Sequence, residues 1–181
     1  MTKKPLVIVF GGQRVHEGSP LYEQAYSLGR LLAQRGYAVA SGGYQGVMEA
    51  VSRGAHDVGG YVVGYTCTIF EPMKPNPWLS EERRTHTLTA RIERMAQEGW
   101  AFVALHGGIG TLAEITVVWN LLLVNSLGPK PLILVGPEWK PVLDTFRQHT
   151  QMGSSAFNLV TLVQRVDEAV SVLDERLVRG R

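Results

Sequence analysis

Residues 100–125 read WAFVALHGGIGTLAEITVVWNLLLVN, and the fold follows from how this stretch must behave. Its opening apolar run, 100–105, has the length and composition of a buried strand. Segment 106–111 (HGGIGT) carries too much glycine to prolong that strand and must turn. Residues 111–125 are then long enough for a helix. Strand, glycine turn and helix make a βα unit, and the same unit recurs on both sides.

Upstream, residues 5–10 (PLVIVF) read as a strand followed by a glycine-rich loop. Ser19-Pro20 supplies a cap and a first-turn proline for a helix that Gly36 closes. Leu21, Ala25, Leu28, Leu32 and Ala33 share one face of it. Further strands are expected at 37–40 and 61–65, with a helix over 46–57 between them. Segment 70–78 carries Pro72, Pro75 and Pro77, so it is neither a central strand nor a continuous helix. Residues 88–98 read as a helix whose apolar face is Leu88, Ile92 and Met95, which leaves Arg91 dispensable for folding. Downstream come a strand at 131–135, a helix after Pro137, a strand near 159–162 and a terminal helix from about 164. Strands that alternate with helices form parallel βαβ units with right-handed crossovers. The expected architecture is α/β: a Rossmann-like doubly wound parallel sheet with helices on both faces, residues 1–181 forming a single nucleotide-binding domain.

Composition limits the functions. The chain has 181 residues, 45% hydrophobic and 19% charged, enough for one core and far from disorder. A net charge of +2 gives no basis for a nucleic-acid partner. Cys67 is the only cysteine, so an intramolecular disulfide is impossible, and a thiolate zinc site is not expected. His16, His56, His86 and His149 show no metal-ligand spacing, and neither a metal nor a cofactor is expected. The apolar run ending at Gly11 is too short for a signal sequence, and nothing approaches the roughly 20 apolar residues of a membrane helix. A cytoplasmic protein that avoids membranes is expected.

In doubly wound sheets ligands sit at the carboxyl ends of the strands. That rule selects three loops: Gly11-Gly12-Gln13-Arg14, Ser41-Gly42-Gly43-Tyr44-Gln45-Gly46 and His106-Gly107-Gly108-Ile109-Gly110-Thr111. In the third, glycines admit a close ligand while the following helix aims its first N–H groups at the same point, an arrangement suited to phosphate. None of the loops has the lysine and hydroxyl ending of a P-loop, and Phe10-Gly11-Gly12 does not continue as GxGxxG. Thr111 and Glu114 have the spacing of a capping box, or else Glu114 is a carboxylate facing the sugar of a bound nucleotide. Arg91 is either a solvated helix arginine or part of the site. Arg14 is either a surface arginine or an anion ligand, and His106 either a satisfied histidine at a strand end or a donor to a ligand.

Taken together these segments resemble the LONELY GUY (LOG) family. Ser41-Gly42-Gly43-Tyr44-Gln45-Gly46-Val47-Met48-Glu49 is similar to its GGGxxGLMG loop, and residues 106–114 (HGGIGTLAE) to its PGGxGTxxE signature. Arg91 and Met95 match the arginine and methionine of its RKxxM helix, and residues 9–14 resemble its opening segment more loosely. The resemblance implies a Rossmann-like homodimer that hydrolyses nucleoside 5′-monophosphates, such as AMP or cytokinin riboside monophosphates, to free base and ribose 5-phosphate. It implies phosphate on Gly107, Gly108, Gly110 and Thr111 and catalysis by Arg91 and Glu114. Gly12, Gln13, Arg14, Gly42, Gly43, Gly46 and Met48 would border the nucleotide. Ile92, His106, Glu49 and Ser41 depart from the family pattern, and residues 47–50 also resemble relatives that carry molybdenum cofactor without hydrolysis. The alternative is thus a non-catalytic nucleotide or molybdenum-cofactor carrier. A lysine decarboxylase label is common in the family, but that chemistry needs pyridoxal phosphate on a lysine. Lys3, Lys4, Lys74, Lys130 and Lys140 offer no such setting. Finally, apolar residues surround the 111–125 helix, more than one sheet contact uses, so a homodimer through that helix is expected.

Overall fold

The computed structural model describes residues 4–179. Residues 1–3 and 180–181, which the sequence reading assigns to the same domain, lie outside the described residues. The strands are β1 (Leu6–Phe10), β2 (Ala38–Ser41), β3 (Val62–Cys67), β4 (Glu81–Thr85), β5 (Ala101–Ala104), β6 (Leu132–Val135) and β7 (Val160–Val163). The helices are α1 (Pro20–Gln34), α2 (Val47–His56), α3 (Leu88–Glu98), α4 (Ile109–Leu123), α5 (Trp139–His149), the short α6 (Ser154–Phe157) and α7 (Val166–Arg179). Among the described residues all strands join one sheet in the order β4-β3-β2-β1-β5-β6-β7, every pairing parallel. This is the Rossmann-like architecture expected from the alternation of elements.

Because both faces are covered, the central strands are apolar throughout; β1 is buried at all five positions. Alternate residues feed two cores. Val7 and Val9 pack under α1, α2 and α7, while Leu6, Ile8 and Phe10 pack under the helices of the other face, α3 to α6. The chain leaves β1 in one direction through β2, β3 and β4, then returns to the other side of β1 with β5. The direction of winding therefore reverses between β1 and β5, and a crevice opens at their carboxyl ends.

Three local readings change. β4, with sequence EERRT, was not expected as a strand, and it forms the sheet edge beside β3. An edge strand has a single neighbour, and charge along it discourages pairing with other sheets. Arg83 of β4 is tied down by Glu81 and Glu98 and lies 5.6 Å from the Tyr65 ring. In α1, Tyr22 and Gly29 join the buried face, while Leu21 and Ala33, read on that face, are half-buried and pack against the same core. In α3, Leu88 is 37% exposed, and Arg91 is buried together with Ile92 and Met95.

The α1–α2 contact shows how closely the elements approach. A β-carbon on Gly29 would overlap the Val51 carbonyl oxygen, and one on Gly54 would overlap that of Tyr26. Gly29→Ala is therefore expected to destabilise the protein by about 3 kcal/mol, the upper range of overpacking. Gly36→Ala meets no neighbour and strains only a positive φ of 85°, so it should cost about 1 kcal/mol. Urea denaturation of the two variants provides the comparison, and equal losses would contradict the close crossing.

Candidate functional site

The crevice is a cleft of about 580 Å³ lined by the loops after β1 and β5, the start of α4, and residues from α2, α3 and the proline-rich excursion. Its frame is backbone held against backbone. The Gly12 N–H donates to the His106 carbonyl at 3.1 Å, and the Gly12 carbonyl accepts from the Val47 N–H at 2.9 Å. The first loop is thus clasped between the other two. A side chain on Gly107 would strike the Thr111 hydroxyl, and one on Gly46 would strike the Gln13 carbonyl. These glycines are required because the chain passes too close for a β-carbon.

The helix α4 begins at Ile109 with Gly108 as its N-cap, two residues earlier than the sequence reading placed it. Gly108 has no side chain to accept from the first turn, and Ile109, Gly110 and Thr111 all line the cleft. The first-turn N–H groups and the positive end of the helix dipole therefore face the cleft, as an anion site requires. A β-carbon on Gly108 or Gly110, both of which line the cleft, would meet no protein atom within 4 Å.

The capping-box reading does not hold. Thr111 lies inside the first turn of α4, and Glu114 turns to Arg91 across the site. Arg91 Nη1 donates to Glu114 Oε1 at 3.3 Å, and Arg91 Nε donates to the Tyr65 carbonyl at 2.6 Å. Residue exposures are 4% for Arg91 and 8% for Glu114. The solvated-arginine reading is overturned with it. Removing Arg91 would strip a buried carboxylate of its partner at a cost of roughly 3 kcal/mol, so the residue contributes to stability as well as to the site. Burial pushes the Glu114 carboxyl up to about 7, with the Arg91 charge acting in the opposite direction. A carboxyl poised there exchanges its proton near neutrality, a property typical of acid–base and charge-stabilising groups.

Gly12, Gln13, Arg14, Met48, Arg91, Gly107, Gly108, Gly110, Thr111 and Glu114 all line the cleft. Gly42, Gly43 and Gly46, read from the sequence as nucleotide contacts, are not in its lining. Their glycines answer to protein neighbours. A β-carbon on Gly42 would overlap Arg91 Nη2 and crowd the Met48 sulfur, and one on Gly43 would lie 3.1 Å from the Gly64 α-carbon. Gly42 thereby opens the path along which the Arg91 guanidinium reaches Glu114. Sequence reasoning missed Tyr44, Phe70 and Met73, which also line the cleft. Phe70 and Met73 sit in the excursion that its prolines identify only as irregular. None of the described lysines lines the cleft, and Lys130 is spent on the Ala96 and Gln97 carbonyls.

The chain is also similar to known proteins and solved structures. The sequence family described as "Possible lysine decarboxylase" matches residues 48–175. A cytokinin riboside 5′-monophosphate phosphoribohydrolase of Rhodococcoides fascians is 32% identical over 144 residues, 76% of this chain and 71% of that protein. A rice protein, "Probable cytokinin riboside 5′-monophosphate phosphoribohydrolase LOGL5", is 36% identical over 123 residues. That alignment covers 66% of this chain and spans half of the rice protein's length. Among solved structures, the molybdenum cofactor binding protein of Rippkaea orientalis superposes with a TM-score of 0.78 at 23% identity, covering 98% of this chain and 99% of that one. The last likeness concerns the fold; the sequence matches concern descent. On those matches the chain belongs to the LONELY GUY family, whose members share the "Possible lysine decarboxylase" description.

Proposed function

We propose that the protein is a nucleoside 5′-monophosphate phosphoribohydrolase, acting on AMP or cytokinin riboside monophosphates. The observation that carries this reading is the buried Arg91–Glu114 pair, which lines the cleft one helical turn beyond the open N-terminus of α4. A 5′-phosphate held by the N–H groups of that first turn, with Gly107, Gly108, Gly110 and the Thr111 hydroxyl around it, brings the attached ribose to Glu114. Arg14 at the rim adds a cation. Breaking the N-glycosidic bond develops positive charge at C1′, and the Glu114 carboxylate stabilises that charge in a setting from which water is largely excluded. Water supplies a hydroxyl to C1′ and a proton to the departing base, so the products are free base and ribose 5-phosphate. Arg91 holds the carboxylate in place. A carrier needs no such buried pair beside its anion site. In support, relatives of the chain are named for this hydrolysis.

Glu114→Gln keeps the shape of the side chain and still accepts from Arg91, but it carries no charge. Release of adenine from AMP should fall by about 100-fold or more. Arg91→Lys, which keeps a cation and loses the fork, should also impair turnover. Gly110→Val should fold normally and lose AMP binding. Wild-type rates in both Glu114→Gln and Arg91→Lys would remove the pair from the mechanism, and AMP binding without base release by the wild type would favour the carrier.

The raised Glu114 carboxyl gives opposite trends for activity and stability. Activity needs the ionised form, so kcat/KM should rise with pH through about 7. The folded protein binds this proton more tightly than the unfolded chain. The stability it contributes is therefore complete below about 4.5 and is lost as pH rises through about 7. Thermal melts from pH 5 to 8 should show the wild type losing ground to Glu114→Gln while its activity climbs. Parallel melting curves would contradict the assignment.

We also assign a homodimer to the outer face of α4. Val117 and the C-cap residue Val124 share that face and are 39% and 62% exposed, with Leu123 beside them. Such a stripe on one helix is a surface for a second copy. Light scattering at micromolar concentration should give twice the 19.9 kDa of the chain, and Val117→Asp with Val124→Asp should give the monomer. A monomeric wild type would refute it.

A further inference from the structure

The cleft has one wall that neither a phosphate nor a ribose explains. It comes from the proline-rich excursion, where Phe70 ends the 3-10 turn Thr68–Phe70 and Met73 follows three residues later. Both side chains line the cleft and both are half-buried. The Phe70 ring meets Tyr44 edge-on, with centroids 5.4 Å apart and planes at 77°. Its centroid lies 5.8 Å from the Arg91 guanidinium carbon, so this apolar wall adjoins the reacting pair.

The wall is built into the fold. The Asn76 N–H donates to the Gly43 carbonyl at 2.8 Å, its Nδ2 donates to the Tyr44 carbonyl at 3.0 Å, and its Oδ1 accepts from the Trp78 N–H at 3.2 Å. Asn76 is buried and staples the excursion to the second glycine loop. The Tyr44 hydroxyl donates to the Cys67 carbonyl and accepts from the Cys67 N–H, at 3.0 and 2.9 Å, leaving its ring as an apolar backing for Phe70. Gln13 Nε2 points at the Met73 sulfur, 3.4 Å away, and joins the first loop to the excursion. Beside the wall, Gln13 Nε2 is turned to the Met73 sulfur, and Arg91 Nε and Nη1 are held by the Tyr65 carbonyl and Glu114. An aromatic face and a polarizable sulfur are what a planar heteroaromatic ring packs against.

We infer that Phe70 and Met73, backed by Tyr44, cradle the base of a nucleoside 5′-monophosphate and recognise it by its faces rather than by its hydrogen-bonding edge. The inference rests on the proposed phosphate and ribose sites, which set where the base emerges. Every nucleobase has a π face, so a cradle of this kind separates nucleotides from ribose 5-phosphate and separates bases from one another only weakly.

Calorimetric binding of AMP, CMP and ribose 5-phosphate to the wild type, Phe70→Ala and Phe70→Leu tests this. The wild type should bind AMP and CMP within about tenfold of each other, and both more tightly than ribose 5-phosphate. Phe70→Ala should weaken AMP and CMP by about tenfold, the effect of one lost stacking surface, and leave ribose 5-phosphate unchanged. Phe70→Leu, which keeps bulk without a ring, should fall between. Equal weakening of ribose 5-phosphate would show that Phe70 only supports Arg91 and would overturn the cradle. A preference above about a hundredfold between AMP and CMP would show edge recognition and overturn it as well. The expected pattern in a protein that releases no base would uphold the cradle while the hydrolase reading fell. Failure of the wild type to bind any of the three would overturn the phosphate site and the cradle together.

Discussion

Backbone pairing at Gly12 is the constraint on which the site depends. Its N–H and carbonyl are committed to two different loops, one following β5 and one opening α2. Only where the winding of the sheet reverses can a single residue lie between loops from both halves. The amino end of α4, the path of Arg91 beneath Gly42 and the rim at Arg14 all take their positions from this junction. Conformational freedom is the smaller part of what glycine offers there. What matters more is the absence of a β-carbon where chains cross.

Around that frame the charges are arranged economically. A buried ion pair is a poor source of stability because removing two charges from water offsets much of their attraction. The Arg91–Glu114 pair fits that description, since burial holds the Glu114 proton on up to about 7 despite the adjacent cation. Its presence is better understood as a cost borne by the fold and offset by two well-packed cores. Gly29 and Gly54, where α1 and α2 approach closely, belong to that compensation.

Much of this was legible in the sequence, and the exceptions have physical reasons. Central strands announced themselves through uninterrupted apolar runs because both their faces are covered, and α3 begins and ends where its periodicity does. β4 was hidden, since an edge strand with charged side chains carries no apolar pattern to read. Thr111 and Glu114 matched a local motif that the fold overrides: the partner of Glu114 is 23 residues away in sequence, and spacing rules see only neighbours. The glycines of the second loop were recognisable as necessary, yet nothing in the sequence says that Gly42 makes room for Arg91. Likewise the prolines of the excursion signalled irregular backbone without showing that Phe70 and Met73 turn into the cleft.

His106 illustrates what a backbone-built frame permits. The frame takes from this residue only its carbonyl oxygen, which accepts from Gly12, and any amino acid supplies a carbonyl. Relatives with the PGGxGTxxE signature have proline here, and exchanging it for histidine leaves the junction intact while placing an exposed imidazole on the cleft lining. Architecture and side-chain identity are thus uncoupled at this position. Sequence drift along the rim can alter the chemical character of the cleft without renegotiating the fold.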